Sequence, residues 1–393
     1  RYCLKSRGLG DVYKRQLYIT ISCIIIWRSS HGFELASDFL GRKMPLGIKG
    51  ATLNAVASSM PEFLTTLFFL FYLRDADGFS GGLGVTSGSA LFNLLIIPAL
   101  VVLMLFHSGK RKSIQLNKKV LLREGSVLML SQLIFVSFLF SGELLARHGL
   151  VLLLVYLAYL VVLFLITRKR RKSKREYVRP EATMKRRFMG ALLTLDMTAI
   201  ALNGKKINTL RAWFLLGIST LVMTFGTWLL VYGTDLFGEL TNIPLIFVAV
   251  VLSAAATSVP DTIISIKDAR KGNYDDAVSN ALGSNIFDIA FALGFPILLY
   301  NLIHGESMSL NHDLLAFTKE VWVFLLLATL LAIAIMLIGK KFTRSKAYIM
   351  LGIYLIFLVF VGTQVSDELF RGIGRPVGEF LKNFADWIGT MPF

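Results

Sequence analysis

The sequence predicts an all-α polytopic membrane protein whose ten transmembrane helices form two inverted five-helix repeats. Three observations support this fold class. The chain of 393 residues is 55% hydrophobic and 17% charged, and its apolar residues form runs of roughly 20, the length that spans a bilayer. Basic residues gather in alternate loops, and two pairs of polar motifs recur in the two halves. This pattern excludes a disulfide-linked secreted domain, a disordered chain and an ordinary soluble enzyme.

Residues 1–16 are interpreted as a truncated or artefactual leader and take no part in the predicted fold. They lack an initiating Met and are rich in Arg and Lys, and the apolar run that follows ends at Arg28. A signal peptide is the alternative, but no small-residue cleavage site follows the run. Cys3 and Cys23 predict no disulfide framework.

Ten apolar segments follow, five on each side of a basic linker. The first repeat covers residues 17–167, the linker 168–211 and the second repeat 212–366. The linker carries fourteen Lys and Arg residues and is therefore predicted to be cytoplasmic. The predicted spans are 17–40, 46–73, 84–106, 123–145, 149–167, 212–239, 244–268, 279–303, 320–338 and 346–366.

The remaining loops alternate in charge as this topology requires. Every second loop is basic, and the loops between them carry few basic residues. We therefore interpret the excess of 42 Lys and Arg over 25 Asp and Glu as membrane topology and not as nucleic-acid binding. The expected surroundings are a lipid bilayer, of the plasma membrane or an intracellular membrane. The oligomeric state stays open.

Two amphipathic segments lie outside the predicted spans. Within the linker, residues 180–200 place apolar side chains among basic ones, as interfacial helices do. The tail, residues 367–393, is too short and too polar to span, but its apolar residues share one helical face. These residues are Val377, Phe380, Leu381, Phe384, Trp387 and Ile388. Both segments are interpreted as interfacial.

The repeat is visible in two motifs. Residues 45–62, PLGIKGATLNAVASSMPE, align with residues 244–261, PLIFVAVVLSAAATSVPD, and GSALFN at 88–93 aligns with GSNIFD at 283–288. An odd number of spans separates the copies, so the second copy crosses the membrane in the opposite direction. Inverted repeats of this kind build secondary transporters, whose substrate site lies near the midplane between the copies.

Each copy carries an acidic residue in the membrane, Glu62 and Asp261. A charge at this depth costs about 3 kcal/mol or more, so both must face a polar interior. A proline precedes each acid and frees a helical carbonyl. Hydroxyl residues three and four positions before each acid share its helical face, and the second motif of each copy carries two more polar residues four positions apart. His and Cys are absent from both motifs. These polar residues are Ser58, Ser59, Ser89, Asn93, Thr257, Ser258, Ser284 and Asp288.

An all-oxygen set of this kind suits calcium and sodium, whereas zinc or copper prefers nitrogen or sulfur. The alternative for Ser58, Ser89 and Thr257 taken singly is close helix packing.

The paired elements SSMPE with GSALFN and TSVPD with GSNIFD resemble the alpha repeats of the calcium/cation antiporter superfamily. Within it they resemble the potassium-dependent sodium/calcium exchangers, because Asp288 stands opposite Asn93 and GSN opposite GSA. The resemblance is strong in both repeats and does not extend to the linker or the tail. The family usually has glycine where this chain has Ser58 and Ala256, which bears on ion selectivity.

The resemblance implies exchange of calcium for sodium by alternating access, with potassium carried alongside calcium. It implies that Glu62 and Asp261 bind calcium and sodium in turn and that Asp288 is associated with potassium. The hydroxyls of the serine positions and the carbonyls of Ala55 and Ala254 would complete the ligand set. No catalytic residue and no cofactor are implied.

Three other functions stay open: an intramembrane protease of the serine or aspartyl type, a channel, and a related antiporter for other ions. A serine intramembrane protease needs a membrane His beside its serine, and the five His residues fall at helix ends or in loops. An aspartyl protease would use Asp261 and Asp288, but one proline-flanked acid in each half favours an ion site. A channel shares the oxygen-rich chemistry, and an antiporter coupled to protons or another divalent ion is the nearest alternative.

Overall fold

The computed structural model describes residues 9–43, 55–73, 76–109, 113–169, 188–310, 312–339, 341–365 and 371–390. Within these residues, nine helices are long and apolar enough to cross a membrane. We name them α2 (Ala55–Leu73), α3 (Gly78–His107), α4 (Lys118–Phe140), α5 (Ala146–Lys169), α8 (Thr209–Thr241), α9 (Leu245–Arg270), α10 (Tyr274–His304), α11 (His312–Leu337) and α12 (Arg344–Val365). The chain is an integral membrane protein.

A further long helix, α1 (Leu9–Leu40), is interrupted by charged residues and is not among the nine. It lies antiparallel along α8, with Ile26 packed on Leu230 and Phe33 on Met223. The predicted total of ten spans therefore depends on α1. Its helical structure begins within the segment that the sequence suggested was a leader.

The predicted spans fall within the observed helices to within a few residues at most ends. The helices extend beyond the apolar runs because polar residues continue their terminal turns. For example, α10 begins at Tyr274 with Asp275 and Asp276 in its first turn, which complements the helix dipole. Residues 46–54 of the second predicted span lie outside the described residues.

Four two-residue strands join loops at the two ends of the helical bundle. β1 (Ser113–Ile114) pairs antiparallel with β4 (Phe342–Thr343), and β2 (Glu143–Leu144) pairs with β3 (Met308–Ser309). The 23-residue α4 separates β1 from β2, which is about 35 Å of helix. The two strand pairs therefore lie at opposite ends of the bundle.

Each half contains irregular helix at membrane depth. π-helical turns occur at Phe69–Leu73, Phe92–Ile96, Ala249–Ser253 and Asp288–Leu293. The sequence predicts a proline before each acid that frees a helical carbonyl, but the two prolines lie in different local structure. Pro61 lies inside a continuous helix, whereas Pro260 follows a turn at Ser258 that separates Ala254–Thr257 from Val259–Arg270.

Three shorter helices cover the outside of the bundle. The linker contains α6 (Phe188–Leu193) and α7 (Met197–Leu202), and Met197 packs on Ala36 of α1. The earlier part of the predicted linker helix, residues 180–187, lies outside the described residues. The tail forms α13 (Arg371–Gly389), which packs on α11 and α12.

The predicted apolar face of α13 is divided between protein and surroundings. Leu381 and Ile388 are buried, whereas Phe380 and Trp387 are more than half exposed. The tail helix therefore leaves aromatic side chains available to the membrane interface, where such rings accumulate.

The close contact between α3 and α9 predicts that replacing Gly88 by a larger residue destabilises the protein. A Cβ at Gly88 of α3 would lie 2.0 Å from the Val250 carbonyl oxygen of α9, and backbone cannot move aside as a side chain can. We expect Gly88→Ala to cost about 1–3 kcal/mol, as overpacking does, and to lower the thermal unfolding midpoint of the purified protein by several degrees.

The matched control is Gly217→Ala on α8, where an added Cβ meets nothing within 4 Å. Its midpoint should be unchanged or slightly higher because alanine favours helix. Equal midpoints for the two variants would contradict the close crossing.

Candidate functional site

The two acidic motifs meet in the centre of the bundle, where α2, α3, α9 and α10 pack together. Side chains of the two copies contact each other directly. Ser58 of α2 lies 3.2 Å from Ser284 of α10, hydroxyl to hydroxyl. The Asn285 amide of α10 donates to the Ala90 carbonyl of α3 at 2.8 Å.

Asp261 is buried and receives hydrogen bonds on both carboxylate oxygens. Ser284 Oγ donates to Oδ1 at 2.8 Å, and Asn280 Nδ2 donates to the same oxygen at 3.2 Å. Asn93 Nδ2 of the other copy donates to Oδ2 at 3.1 Å. Three neutral donors thus hold this carboxylate in place without neutralising its charge.

Asp288 and Glu62 are less satisfied. Ser89 Oγ donates to Asp288 Oδ2 at 3.3 Å, while Asp288 Oδ1 has no hydrogen-bond partner within the described part of the chain. Both Glu62 oxygens are buried and also lack a hydrogen-bond partner there. The charge of Glu62 is repelled by those of Asp288 and Asp261, so all three carboxylates share one region.

No described Lys, Arg or His forms an ion pair with these three acids. Other buried oxygens around them also lack hydrogen-bond partners among the described residues. They are Ser59 Oγ, Thr65 Oγ1, Asn93 Oδ1, Ser258 Oγ, Asn280 Oδ1 and Asn285 Oδ1. A buried polar atom without a partner is costly, so a concentration of unpartnered oxygens is chemically suited to a cation.

The two expected carbonyl ligands have matched surroundings. Ser58 Oγ donates to the Ala55 carbonyl at 3.2 Å, and Thr257 Oγ1 donates to the Ala254 carbonyl at 3.1 Å. The Ala254 carbonyl also accepts from the Ser258 backbone N–H at 3.1 Å, so both of its lone pairs are used and a cation there would displace one donor. The Thr257 side chain also lies beside the Glu62 carboxylate.

The acids are spread over the region and do not surround a single point. Among the described residues, no three His, Cys, Asp or Glu side chains are close enough to hold one metal ion together. Any cation here would take most of its ligands from hydroxyl, amide and carbonyl oxygens. The structure thus brings residues of the two copies together, because Ser58 contacts Ser284, Asn93 bonds Asp261 and Ser89 bonds Asp288. That all twelve expected residues form one cation site stays a prediction.

The sequence analysis missed Asn280 and Ser265. Asn280 Nδ2 lies 3.5 Å from Ser265 Oγ as well as bonding Asp261, and Asn280 is four residues before Ser284. The i, i+4 spacing was the available signal. It was overlooked because Asn280 has no polar counterpart in the first copy, where Val85 occupies the matched position.

Neutralising either of two buried glutamates should change the thermal unfolding midpoint, in opposite directions. Glu62 has unpartnered oxygens and acidic neighbours, whereas Glu124 of α4 accepts hydrogen bonds from Arg123 and Tyr159. In buffer free of metal cations, Glu62→Gln should raise the thermal unfolding midpoint because it removes repulsion. Glu124→Gln should lower it because it removes the charge of a partly buried ion pair and weakens the buried hydrogen bond from Tyr159, a loss of about 1–3 kcal/mol.

The measurement is thermal unfolding of the purified proteins in choline buffer with chelator. A lower midpoint for Glu62→Gln than for the unchanged protein would contradict the repulsion among the three acids.

Comparison with known proteins agrees with this architecture. The pattern of the family described as sodium/calcium exchanger protein matches residues 16–165 and 211–363. The inner membrane protein YrbG of Escherichia coli is 26% identical over 343 residues, which are 86% of this chain and 94% of that protein.

Two further proteins are similar over part of the sequence or in fold. Sodium/potassium/calcium exchanger 2 of Mus musculus is 36% identical over 143 residues, which are 36% of this chain and 21% of that protein. The crystal structure of the H+/Ca2+ exchanger CAX has the same fold, with a TM-score of 0.68, 15% identity and coverage of 95% of this chain and 90% of that one. Because the family pattern covers most of both halves, the chain belongs to the sodium/calcium exchanger protein family.

Proposed function

We propose that this membrane transporter exchanges calcium for sodium by alternating access and carries potassium together with calcium. The observation that supports it best is the group of three buried carboxylates with unpartnered oxygens and no described basic partner. Such charges must be balanced, and transported cations are the remaining means of doing so.

In this proposal Glu62 and Asp261 bind calcium and sodium in alternation. Glu62 contributes both unpartnered oxygens, while Asp261 is held in position by three donors. Neighbouring hydroxyl, amide and carbonyl oxygens complete the coordination. They come from Ser58, Ser59, Ser89, Asn93, Thr257, Ser258, Ser284, Ala55 and Ala254.

The proposal includes ten spans in two inverted repeats, with α1 as the first span. The strand pairs support it. β1 and β3 each lie between the third and fourth helices of their half, yet β1 is at the same end as β4 and β3 at the same end as β2. Equivalent loops at opposite ends are what inversion requires. Matched π-helical turns at Asn93 and Asp288 give further support.

We propose that the end carrying β1 and β4 is cytoplasmic, together with the linker 168–211. Both strands follow basic loops, and the start of α8 lies beside the end of α1 near Arg42. β2 and β3 lie in loops that contain Glu143 and Glu306, as expected of the opposite face. The plasma membrane or an intracellular membrane would suit this arrangement.

Charge counting motivates the potassium step. Calcium balances two of the three carboxylates, and potassium on Asp288 would balance the third before the loaded site crosses the low-dielectric barrier. Similarity to a sodium/potassium/calcium exchanger over 143 residues supports this step. A proton on Asp288 is the alternative, and similarity of fold to an H+/Ca2+ exchanger favours it.

The proposed site predicts that neutralising either Glu62 or Asp261 strongly reduces calcium transport. Glu62→Gln and Asp261→Asn should each lower calcium flux by at least about a hundredfold, because a lost charge-assisted ligand costs roughly 3 kcal/mol. The measurement is tracer calcium uptake into proteoliposomes, with sodium and potassium set independently on the two sides.

The control is Glu239→Gln, an exposed glutamate near the end of α8, which should leave the flux unchanged. Near-normal calcium flux in Glu62→Gln would contradict the proposed site, provided that the variant elutes as a folded protein.

Potassium dependence predicts a separate result for Asp288. The unchanged protein should need potassium on the calcium side, whereas Asp288→Asn should transport calcium without it, because two carboxylates are balanced by calcium alone. The measurement is calcium flux against potassium concentration at fixed sodium and several pH values.

The two coupling ions give distinct results in this assay. Proton coupling predicts a flux that depends on pH and not on potassium. Equal flux with and without potassium at every pH would contradict the three-charge argument.

A further inference from the structure

The fifth helix of the first half, α5, buries two tyrosine hydroxyls in an otherwise apolar sequence. Between residues 150 and 166 its only polar side chains are those of Tyr156 and Tyr159, and both are buried. A buried hydroxyl without a polar neighbour is costly, and within a membrane water does not supply one. Each of the two tyrosines therefore needs a polar group nearby.

The position of Tyr156 recurs in the second half. The segment VYLAYL of α5 aligns with IYLIFL of α12, which makes Tyr354 the counterpart of Tyr156. Tyr156 meets Phe287 of α10 edge-on, with ring centroids 5.6 Å apart, and Tyr354 meets Phe92 of α3 edge-on at 6.0 Å. The two phenylalanines are themselves counterparts in the repeated motif. Each fifth helix thus packs on the π-helical turn of the opposite half.

The residue that follows the phenylalanine differs between the two positions. It is Asp288 beside Tyr156 and Asn93 beside Tyr354. Of the three buried carboxylates, Asp288 is the one whose charge acts on the Tyr156 hydroxyl. Asp288 Oδ1 lacks a hydrogen-bond partner among the residues that the structure describes. The repeated tyrosine therefore lies beside an acid in one half and beside a neutral amide in the other.

We propose that Tyr156 is a specificity-determining residue for the monovalent cation at Asp288, to which its hydroxyl oxygen contributes a neutral ligand. The inference rests on the proposed function and extends its potassium step. Potassium binds where several neutral oxygens take the place of its hydration shell. The Ser89 hydroxyl of α3 bonds Asp288 Oδ2, so Tyr156 adds a second hydroxyl from another helix.

The proposed calcium ligands do not depend on α5. Asp261 takes its three hydrogen bonds from Asn93 of α3 and from Asn280 and Ser284 of α10. The Thr257 side chain of α9 lies beside Glu62. Removal of the Tyr156 hydroxyl should therefore weaken the binding of potassium and leave the binding of calcium unchanged.

Tyr159 is a matched comparison on the same helix. Its hydroxyl donates to Glu124 of α4. In the second half the corresponding contact is apolar, because Phe357 packs on Phe324 of α11 with ring centroids 5.3 Å apart. The Tyr159 hydroxyl thus fixes α5 against α4, and the proposal gives it no part in binding potassium.

The transport test compares Tyr156→Phe with two controls. Calcium flux into proteoliposomes is measured against potassium concentration at fixed sodium and pH. Tyr156→Phe should raise the potassium concentration for half-maximal flux about fivefold to tenfold, the effect of losing one neutral ligand. Its KM for calcium at saturating potassium should stay unchanged. Tyr354→Phe and Tyr159→Phe each remove one hydroxyl elsewhere and should leave both constants unchanged.

A second measurement does not need transport. Thermal unfolding of the purified proteins in choline buffer with saturating calcium reports potassium binding as a rise in the midpoint. Tyr156→Phe should need about fivefold to tenfold more potassium chloride than the unchanged protein for the same rise. Tyr159→Phe should begin from a lower midpoint but respond to potassium as the unchanged protein does. An equal concentration of choline chloride is the control for ionic strength.

The outcomes separate this inference from the proposed function. Absence of calcium flux in the unchanged protein would contradict the proposed function, while a rise with potassium that Tyr156→Phe weakens would still support the inference. The absence of any potassium response in the unchanged protein, in both measurements, would overturn the potassium step and this inference together.

Two results would overturn the inference alone. The first is a potassium response of Tyr156→Phe equal to that of the unchanged protein in both measurements. The second is an equal increase in its KM for calcium, or the same loss of potassium response in Tyr354→Phe, because either would show that the hydroxyl acts only through packing.

Discussion

The burial of three carboxylates without a described basic partner is the constraint on which the rest of this structure depends. Glu62, Asp261 and Asp288 are each fully buried where the copies meet. Their desolvation is tolerable only where polar groups surround them and charge can be supplied. Hydroxyls and amides from both halves provide the surroundings. The unequal hydrogen bonding leaves Asp261 held by three donors and Glu62 by none, so the same buried region contains one fixed acid and one available acid.

Close helix packing is what allows this polar region to exist. Gly88 lets α3 approach the backbone of α9, and Asn285 bonds directly to the Ala90 carbonyl across the interface. Small residues at membrane helix contacts permit such approaches. The π-helical turns at Asn93 and Asp288 change which side chains face the centre. Backbone irregularity at this depth is compatible with the membrane because the surrounding helices bury it.

The proposed ion site and the contact between α1 and α9 are connected through one short helix. Asp261 and Lys267 both belong to Val259–Arg270, which begins after the turn at Ser258, and Lys267 Nζ lies 3.3 Å from Glu34 Oε2 of α1. A movement of this helix relative to α1 would therefore alter this ion pair and the position of Asp261 together. α1 also contacts α8 along most of its length and the linker through Arg28.

Much of the fold was determined by the sequence alone, because hydrophobic length and polar repetition are local properties. Nine predicted spans correspond to apolar helices, and every proposed site residue lies in the expected helix. The tertiary structure decided what depends on contacts between helices: the partners of each carboxylate, the participation of Asn280, the different behaviour of Pro61 and Pro260, and the ion pair between α1 and α9. The physical reason is that hydrogen bonds between distant segments depend on packing geometry, which one-dimensional periodicity does not encode.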